Sequence, residues 1–201
     1  LVLGKSKGFF TIVSLIITIS AIFWVFIPAI INGRNVYITT IVVSVFTIFM
    51  TLLLINGWNK KTLCAILGNI GGLAVAGVVA IIMSKLLKVS GFVDEEYVFI
   101  MVAQLNKPLD LIGLVWSGIV IGSLGAVMDV AMSISSAMNE LSENMENKTF
   151  KKMLKSGMNI GRDAIGTMTN TLILAYVGSS IATVLLLTMY SANLTYLFNI
   201  E

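Results

Sequence analysis

Long apolar runs without a charge constrain this chain more than any other feature. Residues 36–55, VYITTIVVSVFTIFMTLLLI, contain no charged side chain. A transmembrane α-helix needs roughly 20 mostly apolar residues to cross about 30 Å of hydrocarbon. A spanning β-barrel would instead show short segments in which apolar and polar residues alternate. The sequence therefore predicts an all-α integral membrane protein.

Composition supports the same class and limits the chemistry. Hydrophobic residues make up 57% of the chain and charged residues 11%, and the mean hydropathy is +0.97, well outside the range of soluble domains. The chain has no histidine and one cysteine, Cys64. A disulfide within the chain and histidine-based catalysis are thereby excluded. We predict no catalytic residue, no metal site and no cofactor.

Five candidate spans follow from the hydropathy pattern, and they predict one helical transmembrane domain over residues 1–201. The spans are residues 9–32, 36–55, 62–84, 111–137 and 163–190. Pro28 is expected to kink or end the first span, because proline cannot donate a helical hydrogen bond.

Two connecting segments have the pattern of amphipathic helices at the membrane interface. Residues 90–110 place apolar side chains at helical spacing after an acidic first turn. Residues 138–158 set apolar side chains against lysines, a pattern typical of binding to anionic lipid, with a solvated loop as the alternative. The lysines are Lys148, Lys151, Lys152 and Lys155.

Most of the thirteen Lys and Arg residues fall on one side of the membrane in this arrangement. Because positive residues concentrate in cytoplasmic loops, we expect a cytoplasmic N-terminus. The net charge of +3 is then explained by topology rather than by nucleic-acid binding.

Small and polar residues share one face in three of the predicted spans. The fourth span carries Gly118, Gly122, Gly125, Asp129 and Ser133. The fifth carries Asp163, Gly166, Thr167 and Asn170, and the third carries Asn69 and Gly72. The glycines favour close helix packing, whereas the polar residues suggest the wall of a cavity.

Asp129 and Asp163 need a stronger explanation than packing. A carboxylate inside a span costs on the order of 2.5 to 3.5 kcal/mol even on the lenient insertion scale, so it is normally paired, hydrated or functional. The topology places the polar groups of all three spans in the cytoplasmic half of the bilayer. Arg162 is expected at the same depth, where it would pair with Asp129.

Three blocks of the sequence also resemble a known family. They are GSLGAVMDVAMSISSAMNEL (residues 122–141), KSGMNIGRDAIGTMTNTLILAYVGSS (155–180) and, more loosely, INGWNKKTLCAILGNIGG (55–72). The chain resembles the YibE/F-like family of bacterial polytopic membrane proteins. The resemblance implies the bacterial plasma membrane, no established biochemical activity, and a sixth span after the end of this chain.

Three functions remain open from the sequence. The first is transport of a small solute or ion through the polar cavity. The second is a non-catalytic role in a homo-oligomer or with a membrane partner subunit, packing through the glycine-rich faces. The third and most remote is an intramembrane aspartyl hydrolase in which Asp129 and Asp163 share a proton.

Overall fold

The computed structural model describes residues 5–88, 109–144, 149–182, 184–186 and 188–189. The regular structure within these ranges is helical, which confirms the predicted all-α class for this part of the chain. Helix α1 (Lys5–Ala21) continues through a π-helical segment (Ile22–Phe26) into α2 (Ile27–Ile31). The longer helices that follow are α3 (Val36–Asn56), α4 (Lys60–Leu86), α5 (Leu111–Asn144) and α6 (Phe150–Ser179).

Four stretches of the described residues are long and apolar enough to cross a membrane. They are Gly8–Ile31, Val36–Asn56, Lys60–Leu86 and Leu111–Asn144. The fifth predicted span, residues 163–190, begins within α6 and ends among residues that are only partly described. The described residues therefore support a membrane protein with four candidate spans.

Pro28 does not end the first span. The helix widens instead into the π-helical segment just before it, where Ile27 donates its N–H to Ile22 O. Because proline lacks an N–H and its ring crowds the preceding turn, a wider turn accommodates it without breaking the helix. The chain then reverses at Gly33, whose φ is 72°, and Asn35 caps α3 by accepting from Ile38 N at 3.2 Å.

The main core lies where α3, α4 and α5 meet. Its fully buried centre includes Ile48 of α3, Ile66 of α4 and Val120 of α5. A smaller cluster joins the first span to α3. Large apolar side chains cover much of the outer surface, such as Leu67, which is 69% exposed, as expected for helices that face lipid tails.

Helices α5 and α6 form a long antiparallel hairpin. A methyl group at Gly161 would lie 3.3 Å from Ile134, and one at Gly157 would lie 3.2 Å from the Met138 sulfur. The 34 residues of α5 extend about 51 Å at 1.5 Å per residue, so the hairpin is longer than the hydrocarbon layer is thick.

This hairpin corrects the separate amphipathic helix predicted over residues 138–158. Its first part is the end of α5, and its last part is the start of α6, where Gly157 and Gly161 face α5. Phe150 and Leu154 are exposed. Lys151, Lys152 and Lys155 remain exposed. Lys148 and most of the predicted helix at 90–110 lie outside the described residues.

Candidate functional site

The polar stripe of α5 lies opposite the face that packs on the core. Trp116, Val120 and Leu124 are buried at the α5 core face. At 100° per residue, the stripe stands about half a turn away from them. Asp129 and Ser133 are exposed, and no neighbouring side chain or helix of the described residues lies within 4 Å of the Cβ positions at Gly118, Gly122 and Gly125.

The polar stripe of α6 also faces away from the bundle. Gly161 is buried against α5, whereas Asp163, Gly166, Thr167 and Asn170 are all exposed. The Thr167 hydroxyl donates locally to the Ala164 carbonyl oxygen at 3.0 Å. The predicted cavity between these stripes is therefore not formed within the described part of the chain, because each helix packs through its other face.

Arg162 and Asp129 lie close in depth but are not paired. Gly161 opposes Ile134 in the antiparallel hairpin, so Arg162 is level with Ser133, about one helical turn from Asp129. Both charged side chains are exposed, and no ion pair joins them. The expected pair is thus absent, since Asp129 projects from the face of α5 that is turned away from α6.

Asn69 shares the depth of Asp129 but points elsewhere. Gly68 lies against Ala131 and Gly72 against Val127, which places Asn69 level with residues 129–130 of α5. Asn69 is completely buried, and neither its amide nitrogen nor its amide oxygen has a hydrogen-bond partner among the described residues. Asn69 therefore lies at the same depth as Asp129, but its side chain points into the core and that of Asp129 points outward.

Other buried polar groups join Asn69 in the core, and the sequence analysis overlooked them. Thr40, Ser44 and Thr47 of α3 are all buried, and their spacing of four and three residues marks one helical face. Ser44 Oγ and Thr62 Oγ1 also lack partners in the described residues. The i, i+4, i+7 spacing on α3 was the signal that could have revealed this face.

A lateral groove of about 750 Å³ opens between α4, α5 and α6. Its walls are mostly apolar, and Lys60 and Lys61 line one end. Of the residues predicted from the sequence, Gly72 lines this groove, and Arg162 lines a second recess of about 660 Å³ between α5 and α6. The remaining predicted residues line neither.

Long apolar helices with a buried polar centre define a polytopic helical membrane protein. The chain matches the YibE/F-like protein family over residues 1–201, so it belongs to that family, as the sequence blocks indicated. No curated protein and no solved structure matches the chain. Within the described residues, no cluster of three or more Cys, Asp or Glu side chains could hold a metal ion.

Proposed function

We propose that this protein is part of a bacterial plasma-membrane transporter that carries a small polar solute or ion along the stripes of α5 and α6. Because each stripe faces away from the other helix, further transmembrane elements or a second copy of the chain would cover the two stripes and complete the pathway. The observation that carries the proposal is the outward direction of two polar stripes that both contain a carboxylate, Asp129 and Asp163.

Contact with lipid tails would be energetically unfavourable for such a polar stripe. Asp129 lies about 27 Å along α5 from Leu111 at 1.5 Å per residue, which is within the thickness of the hydrocarbon if the span begins near Leu111. A carboxylate on a lipid-facing surface is costly, and intramembrane ionisable residues normally face water or a partner. Covering elements that leave a hydrated seam would satisfy Asp129 on the α5 stripe and Thr167 and Asn170 on the α6 stripe.

A second function has its own supporting observation. Nothing in the described part of the chain covers the Cβ positions of Gly118, Gly122 and Gly125, and such a surface lets a partner helix approach closely. The stripe would then be a dry contact surface of a non-catalytic subunit. No hydrogen bond joins Asp129 to Asp163 among the described residues, and nothing in the geometry favours the hydrolase.

Substitutions on the α6 stripe distinguish the two functions. The full chain is reconstituted in vesicles, and flux is followed with ion-sensitive dyes and by osmotic swelling with small polar solutes. For a hydrated pathway, Thr167→Val and Asn170→Leu should abolish flux while the mass of the assembled complex stays unchanged. Thr169→Val is the matched control, because Thr169 is exposed but lines the groove between α4, α5 and α6 instead of the stripe.

The packing function predicts the opposite result. The same two substitutions would then break the complex, as measured by light scattering after size exclusion, and the wild-type vesicles would show no flux. Loss of flux in the Thr169→Val control would also count against a pathway along the stripe.

A further inference from the structure

The groove between α4, α5 and α6 has a charged end and an apolar length. Lys60 is exposed and Lys61 is half-buried, and the described residues of the lining include no Asp or Glu. From this end the groove runs past Cys64 and Gly68 to Gly72 on α4. The groove thus offers positive charge at one end and hydrocarbon-like walls along the rest.

The basic end is fixed in place by the fold. The Ser135 hydroxyl of α5 donates to the Lys61 carbonyl oxygen at 2.5 Å, which holds the start of α4 against α5. At the rim, Glu143 accepts a hydrogen bond from Asn139 Nδ2 at 2.8 Å. No ion pair joins Lys60 or Lys61 to an acidic side chain in the described part of the chain, so both ammonium groups are available to an external anion.

The length of the groove matches one leaflet of a bilayer. From Lys61 to Gly72 the α4 helix rises about 16 Å at 1.5 Å per residue, which is close to half of the roughly 30 Å hydrocarbon thickness. Small residues on the floor leave room beside α4, and larger side chains such as Met168 and Leu172 of α6 form the far wall.

We propose that this groove binds one anionic phospholipid. The headgroup phosphate contacts Lys60 and Lys61, and an acyl chain lies along the wall from Cys64 to Gly72. A basic pocket between transmembrane helices is the arrangement that recognises acidic lipid headgroups. A covering protein helix would need a groove across the whole bilayer, whereas this groove ends about halfway. The proposal is independent of the transport function and uses none of its residues.

The test measures which lipid the full chain retains. The protein is placed in nanodiscs that contain phosphatidylcholine and phosphatidylglycerol, and native mass spectrometry records the lipid that remains bound after release. The wild-type protein should retain one phosphatidylglycerol in preference to phosphatidylcholine. In Lys60→Gln/Lys61→Gln, retention should fall about 25-fold, since each lysine near an anionic surface contributes about fivefold.

A matched control and a blocking variant make the result specific to the groove. Lys85→Gln/Lys88→Gln removes the same charge from the other end of the α4 region, where both lysines are exposed, and should retain the lipid. Cys64→Trp should expel the lipid while leaving both lysines in place. Size exclusion and circular dichroism confirm that each variant is folded.

Three results would overturn the proposal. The first is equal retention of phosphatidylglycerol by the wild-type protein and Lys60→Gln/Lys61→Gln. The second is retention of phosphatidylcholine as strong as that of phosphatidylglycerol. The third is a Cys64 thiol that stays unreactive to a small maleimide in lipid-free detergent, because that would show a protein segment or a second copy covering the groove. Faster labelling of Cys64 without phosphatidylglycerol than with it is the expected outcome.

Discussion

Trp116 on α5 donates its indole N–H to the backbone carbonyl oxygen of Gly77 on α4 at 2.9 Å. A methyl group at Gly77 would lie 3.2 Å from Trp116 Cζ2, so the absence of a side chain there lets the indole reach the backbone. The ring of Tyr37 on α3 lies 5.0 Å from that of Trp116, measured between centroids, with the planes at 47°. Three helices therefore meet around one indole.

Trp116→Phe should lower the free energy of unfolding by about 1 to 3 kcal/mol, because it removes this buried hydrogen bond and part of the ring. Trp24→Phe is the control, since Trp24 is 81% exposed and should change stability little. Thermal unfolding in detergent, followed by circular dichroism at 222 nm, measures both. Equal midpoints for the two variants would show that the Trp116 bond adds nothing to α4–α5 packing.

The adjacent glycines 71 and 72 should respond to alanine in opposite ways. A methyl group at Gly72 would lie 2.7 Å from Val127 Cγ1, whereas at Gly71 no neighbouring atom of the described residues lies within 4 Å of that position. Val127 is β-branched and has few rotamers in a helix, so Gly72→Ala should separate α4 from α5 and reduce stability. Gly71→Ala should raise stability by about 0.5 to 1 kcal/mol through helix propensity. A higher midpoint of thermal unfolding for Gly72→Ala would contradict the close approach of Gly72 to Val127.

Asn69→Leu should stabilise the protein. The amide is fully buried without a partner in the described residues, and such a group costs roughly 1 to 3 kcal/mol. Leucine has a similar shape and no polar atoms, so the midpoint of thermal unfolding should rise. Asn69→Asp should lower it, because a charge would then be buried. A fall in midpoint with leucine would show that the amide has a hydrogen-bond partner in the folded protein.

Lys60 and Lys151 should lie on the cytoplasmic side, and Lys88 should lie on the opposite side. The bond between Ser135 and Lys61 and the α5–α6 hairpin place the first two at the same end of the bundle. Single cysteines at the three positions, in a Cys64→Ser background, can be labelled from either side with an impermeant maleimide. Labelling of position 151 from outside would reverse the orientation expected from the positive residues.

The sequence determined the class of this protein, the family and most of the helices. Apolar runs of twenty residues leave few choices in a bilayer, because every backbone polar group must find a partner within the helix. The spacing of Gly118, Gly122, Gly125 and Asp129 also fixed which residues share a face, since that depends only on helical geometry.

The tertiary structure decided which face of each helix packs. A stripe of small polar residues can form a helix contact, a cavity wall or a partner surface. Whether the stripe packs inside the bundle depends on how much area the apolar face of the same helix can bury there. On α5 that face carries Trp116, Val120 and Leu124, which bury more area against α3 and α4 than the glycines could. The polar stripe with Asp129 therefore faces outward, whereas Asn69 lies in the core. Helical periodicity alone predicted the same cavity-lining position for both residues.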